Sequence, residues 1–221
     1  MDHYQTDRIN AHDDYACEYD ALVDQYHSHT HDVLFGMCYE YVRPGETLLD
    51  FGIGTGLSSV HFARAGLEVS GMDASESMLR ECRKKGITRE LTHHDMMDLP
   101  WPYDDRRFSC VISCGVLQFF NVLDEIFAEA IRILKPGGIF AFTVIEPSQD
   151  EFDHPGEEVS PYIEVPTCWG MNIYKHSDEY LQSLVQGNSL SLLKEQKILT
   201  QSGEESEEDV LIKIIVTRRV L

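Results

Sequence analysis

The densest chemistry in the sequence lies in nine residues, LLDFGIGTG at 48–56. An apolar run ends at Asp50, and glycines follow at 52, 54 and 56. Glycine lets a backbone turn sharply and come close to a ligand. The segment therefore reads as the turn from a buried strand into a helix, shaped to hold a small molecule. Its spacing selects among ligands. A nicotinamide dinucleotide site wants G-x-G-x-x-G, but the third glycine, counted from Gly52, would fall on Leu57. A triphosphate loop wants G-K-[ST], which is absent. Asp50 would repel a pyrophosphate and suit an ammonium group.

Two further carboxylates close two later apolar runs. Asp73, in VSGMDASESML (69–79), stands where an acidic residue of a doubly wound fold accepts hydrogen bonds from ribose hydroxyls. Its other available duty is to cap the helix that follows. Asp95, in HHDMMDLPW (93–101), can accept from an adenine amino group while the Met96 backbone faces the ring.

Elements must bring these residues together. Strands are expected at 47–51, 67–72, 88–92, 108–113 and 139–145. Helices are expected at 57–65, stopped by Gly66, at 75–85, capped by Ser75 and closed by Gly86, and at 123–134, ended by Pro136-Gly137-Gly138. This alternation means βαβ crossovers and a mostly parallel, doubly wound α/β sheet. Residues 1–45 read as helical, with 33–42 apolar enough to pack on a sheet. Residues 146–175 are acidic, contain proline and resemble no strand of the sheet. A helix at 177–185 follows, then strands at 192–200 and 210–220 around a solvated acidic tip at 201–209.

The 221 residues suit one domain, divided into an N-terminal helical lid (1–45), a ligand-binding core (46–145), a substrate-side insertion (146–175) and a C-terminal helix and hairpin (176–221). Lys and Arg number 18 against 38 Asp and Glu, a formal charge of −20. That field repels phosphate backbones, so neither nucleic acid nor an anionic membrane is an expected partner. No apolar run has the length of a membrane span, and the acidic N-terminus is neither a signal nor a transit peptide. Cysteines 17, 38, 82, 110, 114 and 168 show no CxxC spacing, so free thiols in a reducing cytoplasm are expected.

Five segments in order, the two carboxylate motifs and the glycine loop together with FSCVISCGVLQFF (108–120) and RILKPGGIFAFTV (132–144), resemble the small single-domain class I S-adenosylmethionine-dependent methyltransferases. The resemblance covers 48–144 and implies a Rossmann-like sheet of seven strands with an antiparallel C-terminal hairpin strand. It also implies roles. Gly52, Gly54 and Gly56 would lie under the methionine part of the cofactor, and Asp50 would hold its amino group, often through water. Asp73 would bind both ribose hydroxyls, with Ala74 beside the adenine. Asp95 and Met96 would read the adenine edge, and Cys114 would line the methionine side through its backbone. Tyr15 or Tyr19 would close over the cofactor. Gln118 and Cys110 depart from residues common in such sequences, His and an acidic residue respectively.

The expected function is methyl transfer from S-adenosylmethionine to a small-molecule acceptor, releasing S-adenosylhomocysteine, with no catalytic residue assigned. The alternatives are a non-catalytic cofactor-binding or partner-docking protein and, less favoured by Leu57 and Asp50, a nicotinamide oxidoreductase. His27, His29 and His31 alternate; on a strand they could share a metal, but a helix scatters that spacing, so no metal site is expected. His93 and His94 read as a solvent-facing strand end. Residues 1–32 and 147–175 are the two stretches available to roof the cleft.

Overall fold

The computed structural model describes residues 15–147, 160–167, 171–201 and 209–221. Two short helices, α1 (Tyr19–Gln25) and α2 (Thr30–Cys38), lead through a 3-10 turn at Tyr39–Tyr41 into the sheet. Then come β1 (Thr47–Phe51), α3 (Ser59–Arg64), β2 (Glu68–Asp73), α4 (Glu76–Lys85), β3 (Glu90–His93), β4 (Phe108–Ser113), α5 (Asp124–Ile133) and β5 (Leu134–Ile145). The rest is β6 (Tyr162–Pro166), β7 (Asn172–His176), α6 (Asp178–Gly187), β8 (Leu190–Gln201) and β9 (Asp209–Arg219).

Seven strands form one sheet in the order β3-β2-β1-β4-β5-β9-β8. Pairing is parallel from β3 through β5, and β9 enters antiparallel against both β5 and β8. This is the doubly wound sheet with a C-terminal hairpin strand that the sequence led one to expect. Alternate residues feed opposite faces, as a pleated strand requires. Leu49, Phe51, Val111, Phe140 and Phe142 pack with Trp101, Phe127 and residues of α5 and α6. Leu48, Cys110, Ile112, Ile139 and Ala141 pack with Leu34, Phe62, Leu79 and Cys82 from α2, α3 and α4. Cys110 is thus a fully buried core thiol whose pKa burial pushes well up. The described cysteines 17, 38, 82, 110 and 114 are free.

Helix α4 follows its end signals. The Ser75 hydroxyl accepts from the Met78 amide at 3.0 Å, and Gly86 closes the helix in the left-handed region. Elsewhere boundaries differ from expectation. Helix α3 starts at Ser59, two residues late, because the glycine turn consumes Leu57 and Ser58. Strand β5 starts directly after α5, so Pro136-Gly137-Gly138 falls within its span rather than between two elements; a register shift against β4 absorbs it.

The larger correction concerns the stretch expected to hold no strand. Strands β6 and β7 pair antiparallel from Tyr162↔His176 to Pro166↔Asn172, as a separate ribbon. The alternation in YIEVP and NIYKH is only five residues long in each case, too short to stand out in an acidic, proline-containing segment. The edge-to-face contact of Tyr162 and Tyr174, with ring centroids 5.2 Å apart, fixes the pair. Phe152, His154 and Trp169 lie outside the described residues, as does the acidic tip at 202–208. Among the described residues, no helix is long and apolar enough to cross a membrane.

Candidate functional site

Strands β1 to β4 deliver their carboxyl ends to one cleft of about 380 Å³, a size ordinary for small-molecule sites. The glycine loop forms its floor. The amides of Gly52 and Ile53 both donate to the Met72 carbonyl, at 2.7 and 3.1 Å, which ties the loop to the end of β2. Gly52 has φ +70°, and a Cβ there would lie 2.5 Å from a Val116 methyl. Gly56 serves a different purpose. Its Cβ would meet the Cys82 sulfur at 2.7 Å, so it lets α4 approach, and it does not line the cleft.

Asp73 does more than cap a helix. Its Oδ1 accepts from the Ser75 amide at 2.8 Å, and its Oδ2 accepts from the Gly54 amide at 2.7 Å. The carboxylate is thereby held between two loops at the cleft wall. Asp95 Oδ1 accepts from the Met97 amide at 2.9 Å, and the buried Met96 receives the Trp101 indole N–H on its carbonyl at 2.8 Å. Ala74, Asp95, Met96 and Cys114 all line the cleft, with Gly52, Gly54 and Asp73. Burial pushes the Cys114 thiol up to about 12, so it is a neutral wall and not a nucleophile.

Asp50 is elsewhere. It is 1% exposed, does not line the cleft, and accepts from the Ser59 hydroxyl at 2.8 Å. Burial pushes its carboxyl up to about 7, against the Ser59 hydrogen bond and reinforced by the nearby Asp73 charge. His93 and His94 do not line the cleft and are bonded to the carbonyls of Ala74 and Asp98 at 2.8 and 2.7 Å.

Tyr15 and Tyr19 line the cleft with their rings stacked 6.2 Å apart, and Val23 and His31 join them. Desolvation raises both phenol pKa values. A clamp that the sequence did not reveal fastens this roof. Asp20 Oδ1 accepts from the Thr55 hydroxyl at 2.5 Å, and its Oδ2 pairs with the Lys85 ammonium at 2.5 Å. Sequence separations of 35 and 65 residues leave no local signal for it.

The opposite wall is Val116, Gln118, Phe119 and Phe120. The Gln118 amide donates to the Gly115 carbonyl at 2.9 Å, and the Gly115 amide donates to the Thr143 hydroxyl at 2.8 Å. None of the insertion's described residues lines the cleft. The end of β7 and helix α6, which follow it, brace this wall from behind. The buried His176 ring is bonded to the Phe120 carbonyl at 2.9 Å. The neighbouring Tyr180 hydroxyl takes the Leu123 amide at 2.7 Å and donates to Asp124 at 2.6 Å.

Residues 49–142 match the profile of a family described as a methyltransferase domain. They are a class I S-adenosylmethionine-dependent methyltransferase domain. Among curated relatives, the demethylmenaquinone methyltransferase of Tropheryma whipplei is 33% identical over 126 residues, covering 55% of this chain and 48% of that one. The malonyl-[acyl-carrier protein] O-methyltransferase of Serratia marcescens is 33% identical over 103 residues, covering 47% and 40%. The matched part is thus less than half the length of these relatives. Among solved structures, a SAM-dependent methyltransferase of Methanosarcina mazei aligns with TM-score 0.68 and 16% identity, over 84% of this chain and 97% of its own. The 1,6-didemethyltoxoflavin-N1-methyltransferase of Burkholderia thailandensis, bound to 1,6-didemethyltoxoflavin and S-adenosylhomocysteine, aligns with TM-score 0.67 and 15% identity, over 95% and 87%. At such identities these two show the fold.

S-adenosylmethionine is the cofactor of this domain family, and the methyltransferase cleft fits it. The glycine floor, where Gly52 leaves room for Val116, the fixed carboxylate at Asp73 and the polar strand end at Asp95 could hold its methionine, ribose and adenine parts.

Proposed function

We propose that the protein transfers a methyl group from S-adenosylmethionine to a small-molecule acceptor, leaving S-adenosylhomocysteine, and that residues 1–221 act as one domain. The observation that carries this reading is the Asp73 carboxylate, locked between the Gly54 and Ser75 amides on the wall of a cleft that also holds Asp95 and Met96. When bound, the cofactor supplies the activated methyl group on a sulfonium. The chain supplies position and dryness. Asp73 holds ribose hydroxyls, Asp95 and Met96 face the adenine, and the glycine loop carries the methionine part. Tyr15 and Tyr19 exclude water from above, and their ring faces attract a cation. Asp50, poised near neutrality behind the loop, gains charge most readily when an ammonium group is near.

The acceptor belongs beside Gln118, Phe119 and Phe120, where aromatic surface and one amide suit a metabolite. The relatives support methylation and differ in acceptor. The charge of −20 argues against nucleic acid, and the free thiols suit a reducing cytoplasm. Calorimetric titration tests the reading. S-adenosylhomocysteine should bind and raise the melting temperature by mass action, NAD should not, and an acceptor screen should then find turnover. Binding of NAD without S-adenosylhomocysteine would overturn the assignment.

A further inference from the structure

A second constellation of ligand-type side chains sits at the edge of the roof. His31 and Asp32 lie in the first turn of α2, and His61 reaches across from α3. The His61 Nε2 is 2.8 Å from Asp32 Oδ1, and the His31 Nε2 is 3.7 Å from the same oxygen. All three ligand atoms fall within 4.8 Å of one another. Two ligands each about 2.0–2.2 Å from zinc stand about 3.3–3.6 Å apart at a tetrahedral angle. The two distances to Asp32 bracket that separation, so the ligands need shifts of only about an ångström to close on an ion.

The surroundings hold the set in place. His29 Nδ1 is bonded to the other Asp32 oxygen, Oδ2, at 3.1 Å, which turns Oδ1 toward the two imidazoles. Outer hydrogen bonds of this kind are what orient metal-binding carboxylates. Phe35 stacks on the His61 ring at 5.4 Å and is itself wedged against Phe62 at 5.0 Å, so the His61 ring has a fixed floor. The rings of His31 and His61 face one another at 6.2 Å, only 20° from parallel. Two imidazoles and one carboxylate suit zinc and its neighbours rather than magnesium or calcium, which take oxygen sets. The acidic field of the chain draws divalent cations toward its surface.

We propose that His31, Asp32 and His61 form a binding site for a divalent transition metal of the zinc class, which ties α2 to α3 beside the cofactor cleft. His29 is a positioning residue for Asp32. Because His31 also lines the cleft, the metal fixes part of the roof, and a remaining coordination position is left for water or a carboxylate oxygen. Sequence spacing hid the site: on a helix the alternating histidines scatter around the axis, and the decisive ligand, His61, comes from another helix. The inference stands independently of the methyl-transfer reading.

The test uses the full chain stripped with a chelator and titrated with Co2+, whose visible absorption reports imidazole and carboxylate ligation, followed by displacement with Zn2+. One equivalent should bind with a dissociation constant of about 10 µM or tighter. His61→Ala and His31→Ala should each weaken binding at least about tenfold. His93→Ala, at a distant histidine, should leave it unchanged. Zn2+ should also slow hydrogen exchange in residues 28–38 and 59–64. Circular dichroism identifies any variant that fails to fold, and the two separate histidine variants guard against losing one. Absence of a ligand-field spectrum in the wild-type protein would overturn the site. So would undiminished binding in the folded histidine variants, which would place the metal on other histidines.

Discussion

The floor and the roof of the cleft are built by different means. The floor is made at strand ends, where the backbone amides of Gly52, Ile53 and Gly54 meet acceptors at the end of β2 and the Ser75 amide turns back to the Asp73 carboxylate. The roof is clasped through side chains, with Asp20 reaching Thr55 and Lys85 and His61 reaching Asp32. Backbone-anchored geometry follows from the sheet and survives as long as the sheet does. Side-chain clamps are half exposed and can open while the rest stays folded. Ligand access to a covered cleft requires such a division.

Three substitutions press on this contrast. The largest effect is expected in the floor, from Asp50→Asn. The folded-state carboxyl titrates near 7, above the 3.8 of the free group, because burial disfavours its charge. A raised carboxyl pKa favours the fold while the proton is held. That contribution is complete below about pH 4 and is lost as pH rises through 7. At about 1.4 kcal/mol per unit, the shift of some three units sets an upper bound of about 4 kcal/mol. Asn keeps an acceptor for Ser59 and never ionises. Urea melts should show the variant gaining on the wild type between pH 5 and 8, and parallel stability curves would refute the burial argument.

Next comes Asp73→Ala, which removes the acceptor for the Gly54 amide and the proposed acceptor for ribose hydroxyls. Charge-assisted hydrogen bonds contribute about 1.5–3 kcal/mol each. S-adenosylhomocysteine affinity should therefore fall at least about tenfold with the fold intact. An unchanged dissociation constant would reduce Asp73 to a helix cap. The smallest effect is expected in the roof. Asp20→Ala removes a partly exposed pair, worth about 0.2–1 kcal/mol in typical cases, and a hydroxyl contact. Cofactor affinity should drop about two- to fivefold, and hydrogen exchange should quicken in residues 15–28 but not at 48–56. If exchange quickens in both segments, floor and roof move as one and the contrast fails.

The same division explains what could be read from the sequence. Strand β4 lies where its apolar run predicts, and Ser75 and Gly86 bracket α4 as their types dictate, because these signals are local. Seven cleft positions in the core, from Gly52 to Cys114, were legible for the same reason. Tyr15 and Tyr19 came from resemblance. The Asp20 clamp and the His61 contact were not legible, since an acidic residue on α1 or a histidine on α3 looks like any surface group until the tertiary fold supplies its partner. The β6–β7 ribbon was missed because five residues are too few for periodicity to overcome a misleading composition. Asp50 was legible as a motif position but not in its surroundings: the fold buries it behind the loop, where its carboxyl accepts from Ser59.

The Asp20–Lys85 pair carries one more consequence, which concerns ionic strength. Salt shortens the reach of a partly exposed ion pair, with a screening length of about 8 Å at 0.15 M and about 3 Å at 1 M. The same salt quiets the mutual repulsion of a body carrying −20 charges. Added electrolyte therefore acts in opposite senses on the two parts, slackening the clasp over the ligand while making the globule beneath it harder to melt. Bound cofactor should leave faster in concentrated salt from a protein that is, by its melting temperature, more stable.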